Sequence, residues 1–212
     1  DLHKAIRRQR QMCIRDRLKE ILNTSESTIR RDIITLDKEG RLTKVFGGAI
    51  ALHPAQIVNK ELSMVQKQEL QTTEKQAIAR YAASLIEPDD CVYLDAGTTT
   101  GWMIEYIRQE KATYITNALS HAKRLADKGF SVILIGGEPK SSTDAIVGGE
   151  AVLNLQKYHF SKGFFGVNGV DRLSGFTTPD VKEAVVKQAA VKNTQPAHRY
   201  FLTTSSKFGE VY

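Results

Sequence analysis

One stretch carries residues suited to binding an anion, and it follows a predicted buried strand over residues 91–94. The stretch reads Asp95-Ala96-Gly97-Thr98-Thr99-Thr100-Gly101. Small residues let backbone N–H groups approach an anion, and hydroxyls add donors at a helix N-terminus, where the helix dipole favours negative charge. The pattern therefore predicts a phosphate site in which the residues from Gly97 to Thr100 hold the phosphate. Threonines that serve only to cap a strand-to-helix turn are the alternative interpretation.

Small polar residues also follow other predicted strands of the same region. The carboxyl ends of parallel strands meet at one edge of a sheet, so we expect these residues to form the rim of one pocket. There Lys207 would add a positive charge, and Asp95 would accept hydrogen bonds from hydroxyl groups of the ligand unless it only caps its own loop. Lys187 either contributes to the pocket or lies on a solvated helix face. The further rim candidates are Asn117, Gly136, Gly137 and Ser206.

A second stretch, nearer the N-terminus, has the pattern of an element that binds DNA. Read as a helix, it places Ile29, Ile33 and Leu36 on one apolar face. Serine, arginine and lysine side chains fall on the other side, where they would face a polyanion. Ser25 suits the N-cap and Gly40 suits the position just after the helix, so the start and stop signals agree.

The period of the pattern changes to two after Gly40, through Leu42 and Lys44. Gly47-Gly48 then offers a tight turn, which predicts a short β-hairpin. A helix followed by a hairpin is how a winged helix-turn-helix ends, and the helix of such a motif lies in the major groove of DNA. The DNA-binding candidates are Ser25, Ser27, Thr28, Arg30, Arg31, Thr35, Lys38 and Lys44. A merely solvated face is the alternative for the arginines.

The net charge of +6 is confined to one part of the sequence. Residues 1–60 carry 13 lysines and arginines against 7 aspartates and glutamates, whereas residues 61–212 carry 17 of each class. Binding to a phosphate backbone needs cations concentrated on one surface. A basic N-terminal module on a neutral body therefore favours double-stranded DNA as a partner, with a solvated basic tail as the alternative.

Strands and helices alternate through the rest of the sequence. The alternation predicts an α/β domain, a doubly wound and mostly parallel sheet with helices on both faces, which follows a small winged helix-turn-helix. The predicted strands cover residues 91–94, 113–115, 132–135, 163–167 and 200–203. The predicted helices begin near residue 73 and then cover 100–109, 119–128 and 179–192. We expect a DNA-binding domain over residues 1–55, a linker over 56–72 and an effector-binding domain over 73–212.

Several of these motifs resemble those of a known family, the DeoR-type repressors of bacterial sugar metabolism. The recognition helix and wing of that family are similar to Ser27-Thr28-Ile29-Arg30-Arg31-Asp32 followed by Leu36, Gly40, Leu42 and Gly47-Gly48-Ala49. Its effector domain is similar to Asp95-Ala96-Gly97-Thr98-Thr99, Thr116-Asn117, Gly136-Gly137, Gly175-Phe176-Thr177-Thr178-Pro179-Asp180, Glu183-Ala184, Lys187 and Ser205-Ser206-Lys207-Phe208-Gly209. The general character of residues 57–110 resembles the lactose or fructose phosphotransfer-system repressors within the family.

The resemblance implies a function. In this family the effector domain has a fold similar to sugar-phosphate isomerases and binds a phosphorylated sugar, which changes operator affinity. We therefore expect a DNA-binding transcriptional repressor of carbohydrate catabolism and not an enzyme. A sugar-phosphate isomerase is the alternative, but the rim carboxylates Asp95 and Asp171 lie in no paired acid–base motif. The match implies that the effector site contains Asp95, Gly97, Thr98, Thr99, Lys187 and Lys207.

The sequence departs from the family pattern in three places. Residues 12–17, MCIRDR, do not fit the first helix of the family, and Thr204 stands where the family more often has aspartate. The family usually has a further strand and helix after the position of Tyr212. We therefore expect the effector domain to be C-terminally truncated.

No cofactor, metal or membrane partner is indicated by the sequence. Cys13 and Cys91 are far apart and show no CxxC or Cys/His spacing, so neither a disulfide framework nor a metal site is predicted. No apolar run approaches the about 20 residues that a membrane span needs, and we expect a cytoplasmic protein. Palindromic operators make a homo-oligomer the expected state.

Overall fold

The structure, a computed structural model, describes residues 23–39, 42–45, 48–51, 56–57 and 70–212 of the 212-residue chain. The chain divides into two compact units, Asp1–Pro54 and Ala55–Tyr212. The predictions that concern residues 12–17, Gly40, Gly47 and most of the linker lie outside the described residues. Of the helices that are described, none has the length and hydropathy needed to cross a membrane.

The first unit contains the predicted amphipathic helix, α1 (Glu26–Lys38). The helix starts after Ser25, whose Oγ accepts a hydrogen bond from the backbone N–H of Thr28 at 3.2 Å. This bond satisfies one of the N–H groups that have no acceptor within the helix. Ile29 and Ile33 are buried, as their spacing predicts. The helix therefore presents one apolar face inward and leaves the opposite face to solvent.

A β-hairpin follows α1 in the first unit, as the sequence also predicts. Strand β1 (Leu42–Val45) pairs antiparallel with β2 (Gly48–Ala51). A carboxylate oxygen of Asp37 accepts a hydrogen bond from the backbone N–H of Lys44 at 2.7 Å. The last turn of the helix is thereby tied to the first strand of the hairpin.

The second unit alternates strands and helices along the chain. Its elements are β3 (Gln56–Ile57), α2 (Thr72–Ser84), β4 (Cys91–Leu94), α3 (Thr98–Tyr106), β5 (Thr113–Thr116), α4 (Leu119–Asp127), β6 (Ser131–Leu134), β7 (Glu138–Lys140), β8 (Ala145–Val147), α5 (Gly149–Leu155), β9 (Lys162–Gly166), β10 (Gly169–Asp171), β11 (Gly175–Thr177), α6 (Val181–Lys192), β12 (Arg199–Leu202) and β13 (Glu210–Val211). A short 3₁₀ turn, Ser205–Lys207, lies between β12 and β13.

A five-stranded sheet forms the centre of this unit, in the order β12-β9-β4-β5-β6. Every neighbouring pair in it is parallel. Helices cover both faces of the sheet, because the side chains of each strand point alternately to the two sides. One face packs apolar residues of α2, α3 and α4, and the other packs those of α5 and α6. The prediction of a doubly wound, parallel α/β domain is confirmed.

Some elements differ from their predicted bounds. The helix predicted over residues 100–109 begins earlier, at Thr98, and ends at Tyr106, because Ile107 adopts an extended backbone conformation. The antiparallel pairs β7–β8 and β10–β11 and the helix α5 were not predicted. These strands have three residues each, which is too short for a periodic pattern to be visible in a sequence.

Both ends of the predicted linker over 56–72 belong to elements of the second unit. At its start, β3 pairs in parallel with β13, with Gln56 opposite Glu210 and Ile57 opposite Val211. At its end, α2 begins at Thr72. Residues 58–69 lie outside the described residues.

Candidate functional site

A cavity of about 310 Å³ opens at the carboxyl ends of β4, β9 and β12. This volume is at the lower end of the range usual for small-molecule sites. Of the residues that the sequence predicts for the effector site, those that line the cavity are Gly97, Thr98, Thr99, Lys187, Ser206 and Lys207. The cavity also has lining residues that were not predicted as site residues, among them Gln71, Lys75, Thr143, Asn168, Glu183 and Thr204.

The first turn of α3 forms part of the cavity wall. Gly97 is the N-cap residue, and its carbonyl oxygen accepts the first intrahelical bond from the N–H of Gly101 at 2.9 Å. The preceding N–H groups of a helix have no intrahelical acceptor, so this turn can donate to an anion. Thr98 and Thr99 add hydroxyl groups at the same wall.

Thr100 lies beneath the loop and does not line the cavity. Its hydroxyl is fully buried and points to the carbonyl oxygens of Asp95 at 2.7 Å and Gly97 at 2.9 Å. The single hydroxyl proton is thus used within the loop. Thr100 therefore fits the capping interpretation, in contrast to Thr98 and Thr99.

Asn117 also supports the loop from behind. Its Oδ1 accepts a hydrogen bond from the N–H of Ala96 at 2.9 Å, and its Nδ2 donates to the carbonyl oxygen of Ile146 at 3.3 Å. Asn117 is buried and does not line the cavity. Its contacts fix the backbone that leads into the first turn of α3.

A buried histidine packs behind the same turn. His121 of α4 lies close to Gly101, where an added Cβ atom would stand 2.8 Å from the histidine Nε2. Burial and the nearby Arg124 lower the pKa of His121 to about 4, so the ring is neutral near pH 7. His121 could not be predicted as part of this region, because in the sequence it is one polar residue on a helix.

Asp95 and Lys187 form an ion pair at the edge of the cavity. Asp95 is almost completely buried, and its Oδ2 accepts hydrogen bonds from Lys187 Nζ and from the N–H of Gly166, the latter at 2.9 Å. Burial raises the pKa of Asp95, and the bonds from Lys187 and Gly166 offset this only in part. Asp95 itself does not line the cavity, whereas Lys187 does.

A second group of charges lies on the wall that α6 contributes. Glu183 lines the cavity, and its Oε1 accepts hydrogen bonds from Thr143 at 2.6 Å and from Lys140 at 2.8 Å. Lys140 also donates to Asp180 at 2.8 Å and lowers the pKa of that carboxyl group. These contacts join the turn between β7 and β8 to the start of α6.

The turn Ser205–Lys207 closes the cavity on the side of α2. Its residues Ser206 and Lys207 line the cavity. The hydroxyl of Ser206 donates to the side chain of Gln71 at 2.9 Å, and the N–H of Ser205 donates to Glu74 at 2.8 Å. The start of α2 is therefore held by this turn.

Gly136 and Gly137 are not brought to the cavity. An atom added at Gly136 would meet Asn154, and Gly137 packs against β8 with a φ of +146°. A Cβ at Gly137 would lie 2.7 Å from the carbonyl oxygen of Val147. Gly137 therefore allows the chain to pass close to β8, and neither glycine is among the cavity residues.

The DNA-binding candidates lie on α1 and β1. Ser27, Thr28, Arg31, Thr35 and Lys38 are exposed on the side away from the buried isoleucines, and Lys44 is exposed on β1. Ser25 serves as the N-cap, and Arg30 forms an exposed ion pair with Glu26 at 3.6 Å. The hydroxyl of Thr35 donates to the carbonyl oxygen of Arg31 at 3.1 Å. Arg31, Lys38 and Lys44 thus present their charges to solvent.

Comparison with known families gives two matches that together span most of the chain. The DeoR-like helix-turn-helix domain matches residues 2–55, and the DeoR C-terminal sensor domain matches residues 70–212. The chain is 45% identical over 192 residues to an uncharacterized HTH-type transcriptional regulator, FruR, of Bacillus subtilis, which covers 90% of this chain and 74% of the relative. It is 40% identical over 194 residues to the lactose phosphotransferase system repressor of Staphylococcus aureus, which covers 90% of this chain and 75% of the relative.

Solved structures with a similar arrangement include ribose 5-phosphate isomerase A from Neisseria gonorrhoeae, with 11% identity and a TM-score of 0.47 over 68% of this chain and 55% of that chain. Another is eIF2B delta from Chaetomium thermophilum, with 20% identity and a TM-score of 0.46 over 68% of this chain and 52% of that chain. The chain spans about half the length of these two structures. The family matches cover both the N-terminal helix and hairpin and the domain that holds the cavity, and the chain belongs to the DeoR family of transcriptional regulators.

Proposed function

We propose that this protein is a transcriptional repressor of carbohydrate catabolism genes whose affinity for operator DNA is controlled by a phosphorylated sugar. The observation that carries the proposal is the composition of the cavity wall, where the first turn of α3 and the lysines 75, 187 and 207 line one space. The N–H groups of a helix start and several ammonium groups together suit a phosphate dianion. The names of the relatives, which include a lactose phosphotransferase system repressor, support a role in sugar metabolism.

The cavity offers different groups to the two parts of a phosphosugar. Gly97, Thr98 and Thr99 would hold the phosphate through N–H and hydroxyl donors, and Lys207 would add a positive charge. Glu183 and Asn168 line the same cavity and would exchange hydrogen bonds with sugar hydroxyls. Asp95 would act through Lys187, which it holds in place, and not by contacting the sugar.

The first unit would bind DNA through the exposed face of α1. The helix would lie in the major groove, with Ser27, Arg31 and Lys38 toward the bases and phosphates, and the hairpin would place Lys44 beside it. Operators with twofold symmetry would be bound by a homo-oligomer of this chain. A regulator of this kind acts at the chromosome, and we place it in the cytoplasm.

The carboxylates near the cavity do not favour the alternative of a sugar-phosphate isomerase. Such an enzyme needs a base free to take a proton from a sugar carbon. Asp95 is paired with Lys187, and Glu183 is bonded to Lys140. Asp171 accepts hydrogen bonds from the backbone of the turn that follows it, which lowers its pKa. We therefore propose a binding protein and not an enzyme.

Replacing Arg31 by alanine should weaken DNA binding by about 1–3 kcal/mol, because the exposed guanidinium contacts a base edge or a phosphate. A phosphate contact would also reduce the slope of log affinity against log salt by about one. The measurement is a titration of a duplex, selected from a random-sequence pool with the unmodified chain, at several salt concentrations. Arg172→Ala, which removes an exposed arginine of the second unit, is the control. Equal affinity and equal slope for Arg31→Ala would refute this role of Arg31.

Replacing Lys207 by alanine should weaken phosphosugar binding by about 1.5–3 kcal/mol, the usual contribution of hydrogen bonds to charged groups. Thermal unfolding with glucose 6-phosphate, fructose 6-phosphate, fructose 1-phosphate and ribose 5-phosphate measures this, since a ligand at ~100 times its Kd stabilises the fold by about 2.7 kcal/mol. Free fructose and inorganic phosphate test the need for both parts of the ligand. Lys157→Ala, at an exposed lysine away from the cavity, is the control variant. Stabilisation by none of the phosphosugars, or turnover of any of them, would contradict the proposed function.

A further inference from the structure

One short stretch of the second unit contacts both ends of the segment from β3 to α2, which we call the connection and which starts two residues after the first unit ends at Pro54. We call residues 205–211 the clamp. At the start of the connection, Glu210 and Val211 of the clamp pair in parallel with Gln56 and Ile57 of β3. At its end, the clamp bonds the start of α2 through three hydrogen bonds: the N–H and the hydroxyl of Ser205 donate to Glu74, and the hydroxyl of Ser206 donates to Gln71. The chain between β3 and α2 is therefore fastened at both ends to the same seven residues.

The clamp is also a wall of the cavity. Ser206 and Lys207 line it, and so does Gln71, the residue of the connection to which Ser206 donates. Glu74, the other residue held by the clamp, does not line the cavity. A ligand in the cavity would thus touch the clamp directly, and it would compete for or reinforce the hydroxyl that holds Gln71.

The hydrogen bonds between the clamp and the start of α2 can break at a small cost in free energy. The contacts of the clamp with Gln71 and Glu74 are exposed, and exposed hydrogen bonds exchange with water at a small net cost. The clamp is anchored elsewhere, because the N–H of Gly209 donates to the carbonyl oxygen of Val170 at 2.8 Å. Gly209 has a φ of +84°, a conformation that glycine adopts without strain. The part before Gly209 can therefore change its contacts with α2 while Gly209 stays bonded to Val170.

We propose that occupation of the cavity by a phosphorylated sugar changes the hold of the clamp on β3 and α2, and that this is how the sensor domain alters DNA binding. The inference rests on the proposed function, since it assigns a route of regulation to the same site. Coupling requires that the ligand bind the two states of the clamp unequally. In one state of the clamp, Ser206 bonds Gln71 and Ser205 bonds Glu74. In the other state these bonds would be absent, and this difference would make the affinity for the ligand unequal.

The variant Glu74→Ala tests the route without altering the cavity. In the unmodified full chain, the phosphosugar of the panel that stabilises it most should change affinity for the selected duplex by about 5- to 150-fold, the usual size of allosteric coupling. In Glu74→Ala the change should fall below about twofold, while the Kd for the phosphosugar and the affinity for DNA without it stay within about twofold. Glu74→Gln, which keeps an acceptor for the N–H of Ser205, should restore most of the response. Thr73→Ala, at an exposed neighbour in the same turn, should respond as the unmodified chain does.

Hydrogen exchange of the unmodified chain provides a second test that needs neither a variant nor DNA. Saturation with the same phosphosugar should change the exchange rates of peptides that cover residues 56–57 and 210–211 by at least about threefold, because these amides belong to the strand pair that the clamp holds. Peptides of the central strand β4 should not change. If DNA binding by Glu74→Ala responds to the phosphosugar as in the unmodified chain, or if the phosphosugar binds without changing these peptides, the role of the clamp is refuted. The proposed function would be unaffected by either result. Absence of phosphosugar binding would instead overturn the proposed function.

Discussion

Replacement of Lys187 by methionine should lower the free energy of unfolding by about 3–5 kcal/mol, because it leaves the buried carboxylate of Asp95 without its partner. Asp95 is 3% exposed, and only the N–H of Gly166 would still donate to its Oδ2. Methionine is close to lysine in length, so the packing of α6 against β9 is largely kept. Urea denaturation of the two proteins measures the difference.

The stability lost in Lys187→Met should depend on pH, and the titration of Asp95 sets the direction of this dependence. The pKa of Asp95 in the folded protein is raised by burial, so ionisation of this group costs stability as the pH rises through that value. Removing Lys187 raises the pKa further. The deficit of the variant should therefore be larger at about pH 8 than at about pH 5.

Two further variants separate the ion pair from other effects of changing Lys187. Lys182→Met removes a lysine of the same helix whose partner, Glu138, is equally exposed, and it should leave stability almost unchanged. Asp95→Asn in the Lys187→Met background removes the unpaired charge and should recover part of the loss. A deficit that is the same at both pH values and unaffected by Asp95→Asn would show that the pair is not its cause.

Replacement of Lys162 by methionine should also lower the free energy of unfolding by about 3–5 kcal/mol. Lys162 is buried at the start of β9 and donates to Asp90 at 2.7 Å and to Glu87 at 2.6 Å. Burial by itself would raise the pKa of Asp90, but hydrogen bonds from Lys162 and Ser161 hold it below its usual value. Without Lys162, this carboxylate loses its only close cation among the described residues.

The stability lost in Lys162→Met should also shrink on acidification, but at a lower pH than the loss in Lys187→Met, because the pKa of Asp90 in the folded protein is lowered whereas that of Asp95 is raised. A carboxylate with a lowered pKa contributes stability that is present above its unfolded pKa and is lost as the pH falls through the folded value. The difference between the unmodified chain and Lys162→Met should therefore persist at about pH 5 and shrink only in stronger acid. Lys123→Met, which breaks an exposed pair on α4, is the control and should have almost no effect. Equal stabilities at neutral pH would refute this account of Lys162.

The fold could be predicted from the sequence wherever an element is long enough to show its period. Ile29 and Ile33 identified the buried face of α1, and the alternation of apolar strands with helices identified the parallel sheet. Short elements gave no such pattern. Gln56–Ile57 read as linker because two residues cannot show a period of two, and their partner, β13, comes much later in the chain.

The site was predictable to the extent that it lies at strand ends. Gly97, Thr98 and Lys207 follow β4 and β12 and do line one cavity. Gly136 follows β6 in the same way, but the hairpin β7–β8 begins two residues later. The next residue, Gly137, packs against β8 and not at the cavity. Lys75 was missed because it precedes the strands, and the packing of α2 against α3 and the sheet brings it to the cavity.

The residues of the clamp are synthesised long after the helix that they contact. Ser205 follows its partner Glu74 by 131 residues, so a ribosome adding about 5–20 residues per second needs roughly 7–25 seconds between the two. The helix α1 and its hairpin are complete before then, and α2 has already emerged. A newly made chain therefore possesses the helix proposed to bind DNA well before it possesses the residues that hold the connection. Under the proposed route, a nascent molecule would bind DNA before it could respond to a phosphorylated sugar, and translation speed would set the delay.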